Sequence, residues 1–114
     1  MSERSDLDLV HVRAALEAER DSLDVLSDAT EGERRPVELD QQSVGRLSRM
    51  DAMQVQAMAQ AVEGRRRQRQ AQIAAALKRL DEGEYGYCVV CGEDIPVKRL
   101  EVDLTAARCV DCAS

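Results

Sequence analysis

Apolar residues return at helical spacing along most of the chain. Between residues 7 and 29, Leu9, Val12, Leu16, Leu23 and Leu26 recur every three or four positions, with Glu19 the one polar interruption. That period predicts a helix with one apolar face. Asp6 is placed to cap its N-terminus, with acids crowding the first turn. The pattern breaks at Thr30-Glu-Gly-Glu-Arg-Arg-Pro36. Gly32 and Pro36 mark a loop there, and the residue before a proline is biased away from helix. A second seam starts between Asp40 and Ser43. It continues through Val44, Val55, Met58, Val62, Ile73, Ala76, Leu77 and Leu80, with no proline before Pro96. Gly45 and Gly64 weaken this helix by ~1 kcal/mol each relative to Ala, and Gly83 sits where a C′ residue ends one. The second helix is then about 40 residues and about 60 Å long, roughly twice the first.

A helix that long, with one side so polar, needs a partner. The first helix supplies it if the loop near Pro36 turns the chain back. The expected architecture is mainly α: an antiparallel helical hairpin, or coiled coil, over residues 1–81 with its tip near residues 30–45, followed by a small module over 82–114. Fold-back is expected to bring Glu3, Asp6 and Asp8 near Arg65, Arg66, Arg67 and Arg69. Ile73 to Leu80 is expected to run past the first helix and pack on the module. One chain or two can supply the pairing, and the short first helix leaves part of the seam open to self-association.

The module carries all four cysteines of the chain. Cys88-Val-Val-Cys91 and Cys109-Val-Asp-Cys112 are two C-x2-C pairs with 17 residues between them. A C-x2-C pair on a tight turn aims two thiolates at one point, and two such turns complete a tetrahedron around zinc. Four thiolates close the coordination sphere, so one structural zinc is expected, without a catalytic position. Disulfides and a redox-sensing site, where oxidation ejects the metal, are the competing readings. Val89, Val90, Ile95, Val97, Leu100, Val102 and Leu104 are the module's apolar stock. Without Phe or Trp, such a segment depends on its metal, which supplies on the order of 10 kcal/mol of folding free energy. Gly92 permits the tight turn by which backbone N–H groups reach thiolate sulfur. Residues 95–100 fit either a strand or one helical turn.

Charge sharpens the choice of partner. Residues 1–33 hold ten acids and three bases, residues 34–80 four acids and ten bases, and residues 81–114 eight acids and three bases. A zinc tetrathiolate adds about −2 to the last segment. An acidic chain with an acidic zinc module suits protein partners better than a phosphate backbone. Only Tyr85 and Tyr87 are aromatic, which favours helix seams over a β-sandwich. No apolar run approaches the ~18 residues of a membrane span. The N-terminus lacks a signal-peptide pattern, and cysteines reserved for metal point to a reducing, cytoplasmic setting.

Nothing in the sequence assembles a catalytic site: no base, nucleophile or phosphate-binding loop is present, and the chain is expected not to be an enzyme. His11, the sole histidine, is read as a helix-surface residue. The arginine run at 65–69 is read first as a solvated helix face, and Met50, Met53 and Met58 as seam filler. The stretch 40–52, small and polar at the start of a long helix, suits a probe that reaches a recessed surface. Asp40, Leu47, Arg49, Met50 and Asp51 are its candidate contacts.

Residues Gly83-Glu-Tyr-Gly-Tyr-Cys-Val-Val-Cys-Gly92, Ile95-Pro-Val-Lys-Arg-Leu-Glu101, Thr105-Ala106 and Cys109-Val-Asp-Cys112 resemble the DksA/TraR zinc-finger family of bacterial transcription factors. Residues 44–52 also look like those of its short members. The resemblance implies direct binding to RNA polymerase rather than DNA. The coiled coil would enter the secondary channel, and acidic tip residues would act near the catalytic centre. Three departures stand out. The family's D-x-x-D-x-A tip motif, counted back from Cys88 without gaps, falls on Gly45, Ser48 and Met50; Asp40 and Asp51 lie nearby. The sequence ends two residues after Cys112, where longer members continue in a helix that contacts polymerase. Two basic positions used with guanosine tetraphosphate are Gln72 and Asp103 here, and the third lies beyond Ser114, so the response to that nucleotide is expected to be weak or absent. A zinc- or redox-responsive interaction adaptor that has lost polymerase regulation is the alternative.

Overall fold

The computed structural model describes residues 4–34 and 46–113, without the side chains of 33, 34 and 46–48. Its elements run α1 (Leu9–Ala29), α2 (Glu31–Arg34), α3 (Arg46–Asp81), α4 (Val97–Val102) and α5 (Val110–Ala113). A long helical hairpin is followed by the four-cysteine module, and the described residues contain no strand. Among the described residues the only pairing of that kind is an isolated antiparallel bridge between Tyr87 and Asp94.

Local chemistry sets the helix ends. Asp8, not Asp6, caps α1: its Oδ1 accepts the His11 N–H at 3.1 Å, and its carbonyl accepts from Val12 at 3.0 Å. No acid lies in the first turn of α1, which starts at Leu9 and reads Leu-Val-His-Val; Asp6, ahead of it, pairs with Arg4. At the other end Thr30 folds back, its N–H and hydroxyl both donating to the Leu26 carbonyl. Where a plain loop was expected, Glu31–Arg34 makes one further helical turn. The expected start of α3 between Asp40 and Ser43, like Asp40, Val44 and Gly45, lies outside the described residues.

Helix α3 ends as its glycine predicts. Gly83 has a φ of +73°. The Glu84 N–H donates to the Arg79 carbonyl at 2.8 Å and the Gly83 N–H to that of Leu80 at 3.2 Å. These are the paired 6→1 and 5→2 bonds of a Schellman cap. Gly64, inside α3, meets nothing within 4 Å at the place of a Cβ. Gly64→Ala is therefore expected to raise stability by ~1 kcal/mol through helix propensity alone, read as a higher urea midpoint at unchanged m-value.

The chain forms two compact units. One comprises the residues up to Asp21 with those from Gln70 onward, and the other is Ser22–Arg69. In the first, the start of α1 lies antiparallel to the end of α3, and Arg13 pairs with Asp81 at 2.7 Å. Val12, Leu16, Ile73, Ala76 and Leu80 are buried there. In the second, Ser27 donates to the Glu63 carboxylate at 2.7 Å, and Arg66 donates to the Thr30 hydroxyl at 2.9 Å. Glu63 is buried and also faces Arg66 and Arg67 at 3.5 and 3.7 Å.

These contacts correct the expected register. Arg66 and Arg67 are satisfied by Glu63, and Arg66 by Thr30 as well, rather than by the acidic start of the chain. Asp8 is used as a cap, and Glu3 lies outside the described residues. Nor does Ile73–Leu80 run past α1: the Arg13–Asp81 pair sets α1 beside the last turn of α3. Uncovered apolar positions lie earlier on α3 instead, with Val55 and Met58 at 60 % and 64 % exposure.

Candidate functional site

The segment after α3 folds back on itself around the first cysteine pair. Ile95 N–H donates to the Gly86 carbonyl and Cys88 N–H to the Glu93 carbonyl, both at 2.8 Å, on either side of the Tyr87–Asp94 bridge. The turn of this small hairpin holds Cys88 and Cys91. Gly92 has a φ of +77° and directs its N–H to the Cys88 carbonyl at 2.9 Å. The Val90 N–H reaches sulfur, 3.4 Å from Cys88 Sγ. The second pair sits at the start of α5, where the Cys112 and Ala113 N–H groups donate to the Cys109 carbonyl. The two pairs are joined by the Val89 N–H, which donates to the Ala107 carbonyl at 2.8 Å.

All four Sγ atoms lie within 4.8 Å of one another, and those of Cys91 and Cys109 are 3.6 Å apart. Four thiolates at ~2.3 Å from zinc occupy a tetrahedron of edge ~3.8 Å, so the cluster fits one ion. The thiols also differ in environment. Backbone N–H groups, led by Cys109 and then Cys91, bring the Cys88 thiol down to about 6. The neighbouring sulfurs of Cys109, Cys88 and Cys91 push Cys112 up to about 12. Four thiolates this close call for a cation, and the zinc supplies the charge that holds them together.

The module's core differs from its expected apolar stock. Tyr85, Ile95 and Leu100 are buried with Leu80 and Cys88, whereas Val89, Val90 and Val102 are exposed. Residues 95–100 resolve as the start of α4, entered through Pro96. A proline N–H is not missed at a helix start, and Leu100 faces inward one turn later. Asp103 then closes a small turn, accepting from the Thr105 N–H at 3.0 Å and its hydroxyl at 2.8 Å. Arg99 donates to the Arg108 carbonyl at 2.9 Å.

Tyr85 donates its hydroxyl to the Leu104 carbonyl at 2.6 Å. Burial pushes the phenol up to about 12, against a smaller opposing pull from Arg79. The unfolded phenol ionises near pH ~10, so the folded state holds its proton longer, and stability is expected to fall as pH rises from about 10 to about 12. Absorbance titration of Tyr87→Phe, which leaves Tyr85 as the only tyrosine, reads this directly. An apparent pKa near the free value would contradict the buried hydrogen bond.

Residues 83–114 match the prokaryotic dksA/traR C4-type zinc finger. Among curated proteins, the RNA polymerase-binding transcription factor DksA of Haemophilus influenzae is 48% identical over 48 residues, covering 42% of this chain and 33% of that protein. Its Escherichia coli K12 counterpart is 42% identical over 40 residues, 35% of this chain and 26% of that protein. The segment 83–114 is thus a zinc finger of the dksA/traR C4 type. Its metal is accordingly one zinc ion in a four-cysteine site. The match spans about a third or less of the length of these DksA proteins. Over a larger share, the fold is that of transcription factor DksA2 from Pseudomonas aeruginosa. The TM-score is 0.75 at 23% identity, covering 92% of this chain and 79% of that one.

Of the residues singled out by sequence, the four cysteines are brought together. Met50 and Asp51 are exposed on α3, and Arg49 beside them is half-buried. Leu47 lies in the first turn of α3, and Asp40 is outside the described residues. Of the two positions that the sequence resemblance singled out for the nucleotide response, Gln72 is exposed and Asp103 is engaged by Thr105. Sequence reasoning missed Arg4, which is 8% exposed and reaches into the module. An arginine in an acid-rich N-terminal stretch carries no periodic signal that marks it as buried.

Proposed function

We propose that the chain is a non-enzymatic regulator of transcription that binds RNA polymerase directly, with its hairpin in the secondary channel. One observation carries this reading: a C4 zinc finger close in sequence to DksA proteins follows a helical hairpin of DksA2-like fold. Cys88, Cys91, Cys109 and Cys112 hold the zinc, whose role is structural. Asp40, Leu47, Arg49, Met50 and Asp51 make the polymerase contacts at the tip, and Asp40 and Asp51 replace the family's acidic pair. Residues 1–81 act as the probe and residues 82–114 as its base. The chain works without binding DNA, since the module's acidic excess and the tetrathiolate both repel phosphate. It responds weakly or not at all to guanosine tetraphosphate.

A photo-crosslinker in place of Met50, whose side chain is exposed, tests the reading on zinc-loaded protein mixed with bacterial RNA polymerase. Crosslinks to elements lining the secondary channel are expected. Their absence from a protein with full zinc content and helicity would reject the reading and favour an adaptor that has lost polymerase regulation. Asp40→Asn and Asp51→Asn then address the mechanism: unchanged promoter-complex lifetimes would remove both acids from it.

A further inference from the structure

The small hairpin that carries Cys88 and Cys91 is held at both ends. At its turn, the metal ties Cys88 and Cys91 to the second cysteine pair. At its open base, the Gly86 and Ile95 carbonyls both accept from one guanidinium nitrogen, Nη1 of Arg4, with Arg4–Gly86 at 2.8 Å. The rest of that guanidinium is engaged too. Its Nε and Nη2 grip the two Asp6 oxygens at 3.0 and 2.6 Å. Four of the five N–H donors of a guanidinium are therefore aimed at named acceptors. Asp6 is held below the usual carboxylate range, first by this hydrogen bond. The pair stays charged at neutral pH and keeps the guanidinium pointed inward.

Two further features tie this arginine to the metal site. Gly86 has a φ of +92°. A Cβ there would meet Arg4 Cδ at 2.8 Å and Leu7 Cδ1 at 2.9 Å, so the N-terminal segment lies directly on the hairpin backbone. Gly86 is two residues before Cys88, and its carbonyl also accepts the Ile95 N–H that closes the hairpin. Opening the base loosens the segment that presents Cys88. Releasing the metal loosens the turn, and with it the carbonyl pair that Arg4 bridges.

We propose that Arg4 is a remote positioning residue of the zinc site: by clamping the Gly86 and Ile95 carbonyls it slows zinc release, and zinc in turn holds the N-terminal segment down. Coupling between two sites is reciprocal, so both directions are measurable on the full-length chain. Arg4→Met keeps the aliphatic length and removes the bridging donors. Loss of charged donors to buried carbonyls is worth about tenfold or more in an equilibrium or opening rate. Zinc transfer from Arg4→Met to a chromogenic chelator is therefore expected to be about tenfold faster than from the wild type, with Arg4→Lys in between. Arg13→Met is the control. It breaks the Arg13–Asp81 pair in the same unit without touching the hairpin, and its release rate is expected to stay within about twofold of wild type, since an exposed pair contributes little. In the unmodified chain, hydrogen exchange of residues 4–8 is expected to lose protection when zinc is chelated, which serves also if Arg4→Met does not fold. Wild-type release from Arg4→Met, equal acceleration by Arg13→Met, or unchanged protection of residues 4–8 without zinc would each overturn the proposal.

Discussion

Chelating the zinc, or replacing Cys88 with serine, is expected to unfold residues 83–113 while helix persists in Ser22–Arg69. Only Tyr85, Cys88, Ile95, Leu100 and Thr105 are buried within the module beside Gly86. At ~1.5–3 kcal/mol for each large buried apolar side chain, that burial cannot offset the ordering of some thirty residues at about 1–2 kcal/mol apiece. Zinc closes the gap, with binding free energy of ~10 kcal/mol or more acting as folding free energy. The second unit owes nothing to the metal, since its helices are joined by Ser27, Glu63, Thr30 and Arg66. Hydrogen exchange with and without chelator checks the prediction. Amides of Ile95 and Cys88 should exchange freely once zinc is gone, and retained protection there would show that the module folds by burial alone. Acid should act in the same direction, because protons compete with zinc for the thiolates.

Gly86→Ala should be a strongly damaging glycine substitution, at about 3 kcal/mol. Two costs combine. An alanine at φ +92° is strained, and its Cβ meets Arg4 Cδ at 2.8 Å. That methylene cannot swing aside, because its guanidinium is fixed on Asp6, Gly86 and Ile95. Gly92→Ala isolates the first cost: its φ is +77°, but nothing lies within 4 Å of the added carbon, so a loss of only about 1 kcal/mol is expected. Urea midpoints at saturating zinc separate the two. Equal losses would mean that the N-terminal segment does not press on Gly86.

The four cysteines were legible because metal ligation leaves a spacing in the chain: two C-x2-C pairs are two tight turns, wherever the rest of the protein goes. The helices were legible for a similar reason. Leu9 to Leu26 and Ile73 to Leu80 repeat with the helix period, and Gly83 announces a cap that forms as expected. Each of these signals is local, carried by residues a few positions apart.

What the sequence could not specify is which residues meet across the chain. Charge complementarity alone set Asp6 and Asp8 against the arginine run, but an exposed ion pair is worth too little to choose a register. The choice lies with buried groups: Glu63 with Ser27 and Arg66, and the apolar set from Val12 to Leu80. The exposure of Val89 and Val90 and the burial of Arg4 have the same origin. Hydropathy describes a side chain's preference in isolation, whereas the hairpin turns both valines outward and leaves two carbonyls that only a long, forked donor can reach. By itself the sequence determined the two long helices, the glycine cap that ends the second and the metal site, because those follow from short-range spacing. The tertiary structure alone decided the register and the arginine clamp, because both depend on which polar groups are left unsatisfied once the chain has closed on itself.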